Sequence, residues 1–284
     1  MFPDALAQFI GQKGWGEIIS AQPLGGGCIN DARVLTTSSG PHLFLKQNRA
    51  IPADMFAREA DGLRELGSAP GAPRVPKVYL HAPSFLLLEY LTPEPRNPRC
   101  WEIFGQQMAA LHLHTHPQFG FDADNYIGST PQPNPRCANG FAFFAEQRLH
   151  FQAELAHRNR LLSSSDLQRV EKLCQRLPEL IPPQPASLLH GDLWSGNTHL
   201  GPGGLACLID PAVYYGWAES DLAMANLFGS LPSEFYAAYE SVRPLTAGYR
   251  ERFDLYNLYH LLNHLNLFGP GYLPQVQGIL SQYA

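Results

Sequence analysis

Residues 92–100 read TPEPRNPRC, three prolines in one short span, and what stands on either side of them differs in kind. Proline removes a backbone donor and forces its predecessor out of the helical region, so such a run ends whatever element precedes it. Upstream, LGGGCINDARVLTTSSGPHLFLKQN and VPKVYLHAPSFLLLEYL alternate apolar runs with Gly and Ser-Gly breaks, the pattern of antiparallel strands. Between them ADMFAREADGLRELG carries Met55, Leu63 and Leu66 at roughly helical spacing, with Gly67 as its expected stop. Downstream, WEIFGQQMAALHLH, FAFFAEQRLHFQAELAHRNRLL, SDLQRVEKLCQRLPEL and DLYNLYHLLNHLNLF are amphipathic helical patterns. The expectation is an α+β chain of two lobes, a β-rich one over residues 1–91 and a mainly helical one over 92–284.

At 284 residues the chain can bury one or two sizeable cores. A net charge of −5 gives no global positive field to draw in a polyanion, so nucleic acid is not an expected partner. The start MFPDALAQFI lacks a basic n-region, and no apolar run approaches the ~20 residues that span a bilayer, so no membrane association and a cytoplasmic location are expected. Five scattered cysteines without a CxxC pair disfavour a disulfide framework and a zinc site.

The chemistry concentrates in LLHGDLWSGNTHL, residues 188–200. Leu188 and Leu189 end an apolar strand, a loop punctuated by Gly191 and Gly196 follows, and strand material resumes at Thr198. LACLIDPA is a second apolar strand ending on Asp210. The hairpin this implies brings Asp192, Asn197 and Asp210 together, a set of hard oxygen donors that suits Mg²⁺ when phosphates complete its shell. The Asp-x-x-x-x-Asn spacing matches the catalytic loop of protein kinases, in which the Asp takes the substrate hydroxyl proton. Such a site also requires a Gly-rich loop, a strand lysine and a helix glutamate. Gly25, Gly26 and Gly27, then Lys46, then Glu59 supply them in that order.

LLHGDLWSGN, IDPAVYYG, DNYIGSTPQPN, FFAEQRL, GGGCIN and LNHLNLFG together resemble the fructosamine kinase (ketosamine-3-kinase) family, related to aminoglycoside phosphotransferases, over nearly the whole chain. The resemblance implies a two-lobed protein-kinase-like fold with ATP and Mg²⁺ between the lobes. It implies phosphorylation of the C3 hydroxyl of a small-molecule or protein-bound ketosamine, whose breakdown frees the amine, and a monomer or homodimer. Carried over by position, Asp192 is the base, Asn197 and Asp210 the metal ligands, and Lys46, paired with Glu59, the phosphate-binding lysine. Glu89, Tyr90 and Leu91 then form the hinge that holds adenine. Trp194 and Trp217 are candidates for the acceptor side. Trp217 stands where the family more often has His, and no Trp precedes Phe141 where the family usually has one. A kinase of an aminoglycoside or choline, or a nucleotide-binding pseudoenzyme, is the alternative.

Four further readings concern single residues. Asp221 is expected to fix the catalytic loop's backbone from a helix N-terminus, and His190 to support that loop. His112 and His116, one helical turn apart if the helix continues, are either a metal pair or residues favoured by the helix dipole. Cys28, within the expected phosphate loop, is either a redox-sensitive thiol or a small apolar side chain turned under it. Tyr256, Tyr259 and Phe268 are expected in the core.

Overall fold

The computed structural model describes residues 2–25 and 30–284. The chain opens with α1 (Asp4–Gln12), a helix that the strand-like reading of the first ninety residues omits. Then come β1 (Ile18–Pro23), β2 (Asp31–Thr37), β3 (Leu43–Gln47), α2 (Met55–Ser68), β4 (Val78–Ala82) and β5 (Phe85–Glu89). The five strands form one antiparallel sheet in the order β1-β2-β3-β5-β4. Successive side chains of a strand point to opposite faces, and here both faces are covered. Leu43 and Leu45 of β3 with Phe85 and Leu87 of β5 pack on Leu6 and Ile10 of α1. Leu86 and Leu88 pack on the other side against Phe56, Ala60 and Leu63 of α2. Lys46 shares the parity of Phe44, so its side chain emerges on the α2 side. Helix α2 runs through Gly67 to Ser68 and is ended by Ala69 in extended conformation.

Residues 90–97 have no regular structure. They are nevertheless anchored: Asn97 N–H donates to Gly204 O at 3.0 Å and Gly203 N–H to Glu94 Oε2 at 3.0 Å. The remainder comprises α3 (Cys100–Leu113), β6 (Thr115–His116), β7 (Asn125–Ile127), β8 (Thr130–Gln132), α4 (Gly140–Phe144), α5 (Phe151–Arg158), α6 (Ser164–Leu180), β9 (Ala186–Leu189), β10 (Thr198–Leu200), β11 (Ala206–Leu208), β12 (Tyr214–Gly216), α7 (Glu219–Leu227), α8 (Ser233–Val242), α9 (Phe253–Phe268) and α10 (Leu273–Tyr283). A π-helical stretch, Ala145–His150, joins α4 to α5. Helix α9 is the centre of this part: its residues from Phe253 to Asn263 are buried with only Asp254 exposed. Tyr256 and Tyr259 are core residues, whereas Phe268, at its C-terminal end, is 58% exposed and departs from the expected burial. Among the described residues no helix is long and apolar enough to cross a membrane.

Candidate active site

The site is built on two hairpins. Strands β10 and β11 pair antiparallel with Thr198 opposite Leu208, which brings the two ends of the stretch 192–210 together. Asn197 Nδ2 donates to Asp192 Oδ2 at 2.9 Å and to the Asp192 carbonyl at 2.9 Å. It also lies 3.5 Å from the Asp210 carbonyl. Asp210 has a left-handed backbone, φ 53°, a conformation that costs a non-glycine residue energy and recurs at working sites. That turn leaves its carboxylate 47% exposed.

Lys46 reaches this point from β3. Its Nζ donates to Glu59 Oε1 of α2 at 2.7 Å and pairs with the Asp210 carboxylate. Burial opposes the charge on this ammonium, but Asp210 and Glu59 outweigh it and hold its pKa up. Helix α2 is tied to the rest of the protein at both ends. Tyr126 Oη donates to Asp54 at 2.8 Å ahead of its first turn, and Tyr215 Oη donates to Glu65 at 2.7 Å in its last.

The loop after β9 is held from below. Asp221, in the first turn of α7, accepts the His190 N–H at 2.8 Å and the Gly191 N–H at 2.9 Å. His112 of α3 sits 3.2 Å from Asp221 Oδ2 and 2.7 Å from Tyr239 Oη. Burial raises the Asp221 pKa, but these partners outweigh it and hold the group below its ordinary value. His190 packs its ring under the loop, with Nε2 2.9 Å from Ile209 O and Nδ1 accepting from Asp192 N–H at 3.3 Å. Burial lifts the Asp192 carboxyl to about 7, Asp210 and Asp221 adding to the effect and Asn197 opposing it. A half-buried carboxylate held at a strained hairpin, with an amide aligning it, can accept a hydroxyl proton.

The donor set fits a hard divalent cation. Asn197 spends its amide nitrogen on Asp192, which leaves its carbonyl oxygen, and Asp210 already stands beside a cation in Lys46. Among the described residues no group of three or more His, Cys, Asp or Glu could hold a metal ion.

At the strand edge, Glu89 N–H is bonded to Lys77 O at 2.8 Å, its carboxylate pairs with Arg74, and Leu91 O accepts from His199 at 2.9 Å. Tyr90 stands with its ring against His42. Gly25 is described and exposed; Gly26, Gly27 and Cys28 lie outside the described residues. Trp194 is 36% exposed two residues beyond Asp192, edge-on to Phe228.

Trp217 is not with them. It is 3% exposed, enclosed by Phe119, Phe141, Phe144 and Tyr256. Strand β12 runs antiparallel to β9 with Gly216 opposite Ser187, so Trp217 follows directly on the end of that strand pair. Trp217, expected on the acceptor side, is a buried ring that lines a surface cavity together with Phe119, Phe141, Pro183 and Gln184. The supposed His112–His116 turn also dissolves, because α3 ends at Leu113 and His116 belongs to β6.

Two side chains that matter here carried no separate reading: Asn125 and Gln132, both buried, bond the carbonyls of Val213 and Ala212 just past Asp210. Both lie in DNYIGSTPQPN, a stretch rich in polar residues in which nothing local marks these two out.

The family model described as fructosamine kinase matches residues 1–284. The chain is 44% identical over 262 residues to the "Probable ketoamine kinase" of Synechocystis sp., covering 90% of this chain and 88% of that one. It is 42% identical to the "Probable ketoamine kinase YniA" of Escherichia coli K12, covering 95% of each. The solved "putative fructosamine-3-kinase" of Thermobifida fusca superposes with a TM-score of 0.89 at 33% identity, over 98% of this chain and 97% of that one. The fold alone is shared with an aminoglycoside phosphotransferase, APH(2")-IIa, solved with gentamicin, at TM-score 0.62 and 13% identity, over 99% and 94% of the chains.

Proposed function

The chain belongs to the fructosamine kinase family, and we propose that it transfers the γ-phosphoryl group of MgATP to the C3 hydroxyl of a ketosamine. Residues 1–91 act as the nucleotide-binding lobe and 92–284 as the catalytic and acceptor lobe. The observation that carries this reading is the convergence of Lys46, Asp192, Asn197 and Asp210 from three separate segments. Lys46, braced by Glu59, binds the phosphates. Asp192 orients the acceptor hydroxyl and takes its proton as the oxygen attacks the γ-phosphorus and ADP departs. Asn197 and Asp210 would hold Mg²⁺, which neutralises charge on the phosphate oxygens. Adenine lies against Glu89, Tyr90 and Leu91, using the backbone groups that Lys77 and His199 leave to it. Trp194 faces the sugar. Phosphorylation at C3 makes the adduct prone to lose its amine, so the activity serves deglycation in the cytoplasm.

A coupled ADP-release assay with ribulosamine, fructosamine, aminoglycoside and choline acceptors tests this, run beside Asp192→Ala. Turnover on a ketosamine that disappears in the variant is expected. Turnover confined to another acceptor would overturn the substrate class, and none on any acceptor would overturn the activity.

A further inference from the structure

The backbone directly after Asp210 is gripped from two sides. On one, Ala212 N–H donates to His190 O at 2.9 Å, joining it to the loop that carries Asp192. On the other, Gln132 Nε2 donates to Ala212 O at 3.1 Å and Asn125 Nδ2 donates to Val213 O at 2.7 Å. The two amides are themselves locked. Asn125 Oδ1 accepts from Gln132 Nε2 at 2.7 Å and from Asn134 Nδ2 at 2.8 Å. Gln132 Oε1 accepts from Tyr259 Oη of α9 at 2.6 Å. Asn134 Oδ1 accepts from Arg148 at 2.6 Å, and the Arg148 guanidinium lies 4.0 Å over the Tyr214 ring. Arg148 is wholly buried and sits in the π-helical stretch, a distortion found most often at functional sites.

A buried network whose amides are all bonded rigidifies what it touches, and here the Arg148 Nε at its far end lacks a partner. This one touches the peptide that follows a strained Asp210 and abuts the catalytic loop. In kinases that switch, the corresponding backbone is free to order and disorder. Here it has no such freedom.

We propose that Gln132 and Asn125 are positioning residues for phosphoryl transfer, a latch that holds residues 211–213 so that Asp210 and the Asp192 loop stay in one register. The role concerns the turnover step, because the polar atoms of both side chains are spent on backbone carbonyls, on each other and on neighbouring side chains. It rests on the reading of Asp192 and Asp210 given above.

The test is Gln132→Met, which keeps the length and removes both polar atoms of the amide, beside Asp166→Ala, a buried capping residue of α6 that touches none of this network. Expected for Gln132→Met is a kcat at least tenfold lower, with KM for MgATP and for the ketosamine within twofold, and faster amide exchange over residues 210–214 only. Asp166→Ala should lower the melting temperature with kcat and that exchange unchanged. A folded Gln132→Met with wild-type kcat, or exchange in 210–214 rising no more than in the control, overturns the proposal. Should Gln132→Met fail to fold, Tyr259→Phe removes the donor to Gln132 Oε1, together with the hydroxyl's contact to Gln152, and is expected to lower kcat threefold or more; unchanged kcat there overturns it equally. The exchange comparison uses no substrate, so it decides the latch even if no ketosamine is turned over.

Discussion

Asp221 accepts the His190 N–H at 2.8 Å, so a buried carboxylate on α7 fixes the peptide two residues ahead of Asp192. The other oxygen takes the Gly191 N–H, and His112 closes the set. Replacing Asp221 by Ala strands two buried N–H groups, each of which costs about 1–3 kcal/mol when unpaired. We expect Asp221→Ala to lose roughly 3 kcal/mol of stability in urea unfolding and to lower kcat more than either KM. A variant as stable as the wild type would show that water replaces the carboxylate and that the loop is held elsewhere.

Asp192→Asn preserves shape and removes the proton acceptor. General-base contributions are about 10²–10⁴-fold, so kcat should fall by at least about a hundredfold while ADP still binds with wild-type affinity in a calorimetric titration. Residual activity above a tenth of wild type would exclude Asp192 as base.

Gly191 shows how tightly this loop is packed. Its φ is +83°, and a Cβ placed there would stand 2.0 Å from Ala212 O. Both the left-handed backbone and the overlap with an unyielding carbonyl oppose any side chain. Gly191→Ala is expected to destabilise the protein by roughly 2–4 kcal/mol, read as a drop in the urea midpoint at unchanged slope. A midpoint within error of the wild type would mean that the Ala212 peptide can move, which would also weaken the latch inferred above.

These residues also mark how far the sequence could be read. The 198–208 hairpin was legible because apolar runs bounded by Gly have few other solutions, and it joins Asp192, Asn197 and Asp210 by construction. Lys46 and Glu59 were legible from their order, and strand parity explains why the one faces the helix carrying the other. Most of what escaped reading depends on tertiary packing. The π-helical stretch around Arg148 has the same amphipathic pattern as an α-helix. Helix α1 is short, but Leu6, Phe9 and Ile10 stand at helical spacing, so its signal was present in the sequence and was passed over. Trp217 sits in a motif close to the site in sequence, yet its enclosure by Phe119, Phe141, Phe144 and Tyr256 is set by tertiary packing. The bonds of Asn125 and Gln132 to residues 80 or more positions distant leave no local trace.

His260 supplies the pH dependence. It is 2% exposed on α9, and its Nδ1 has no hydrogen-bond partner. Burial drives its pKa down to about 3, with His264 and Arg148 adding to the effect and Asp221 opposing it. The unfolded chain protonates this ring near the ordinary histidine value of about 6.5, whereas the folded chain does not. The unfolded state therefore binds the extra proton, and stability falls as pH drops below that value and continues to fall toward about 3. From pH 7 to pH 5 the linkage is worth ~2 kcal/mol for this one group. His112, His190 and His264 are depressed in the same direction, whereas the Asp192 carboxyl, lifted to about 7, takes up its proton in the folded state over this interval and opposes them, so the difference between wild type and variant is what isolates His260. Removing the titration in His260→Gln should flatten the curve by ~2 kcal/mol over this interval, whatever the variant does to stability at pH 7. Urea unfolding at pH 7, 6 and 5 reads it directly. Parallel wild-type and variant curves would mean that His260 takes up its proton in the folded state, and that the pocket between His264, Arg148 and Asp221 accommodates the charge.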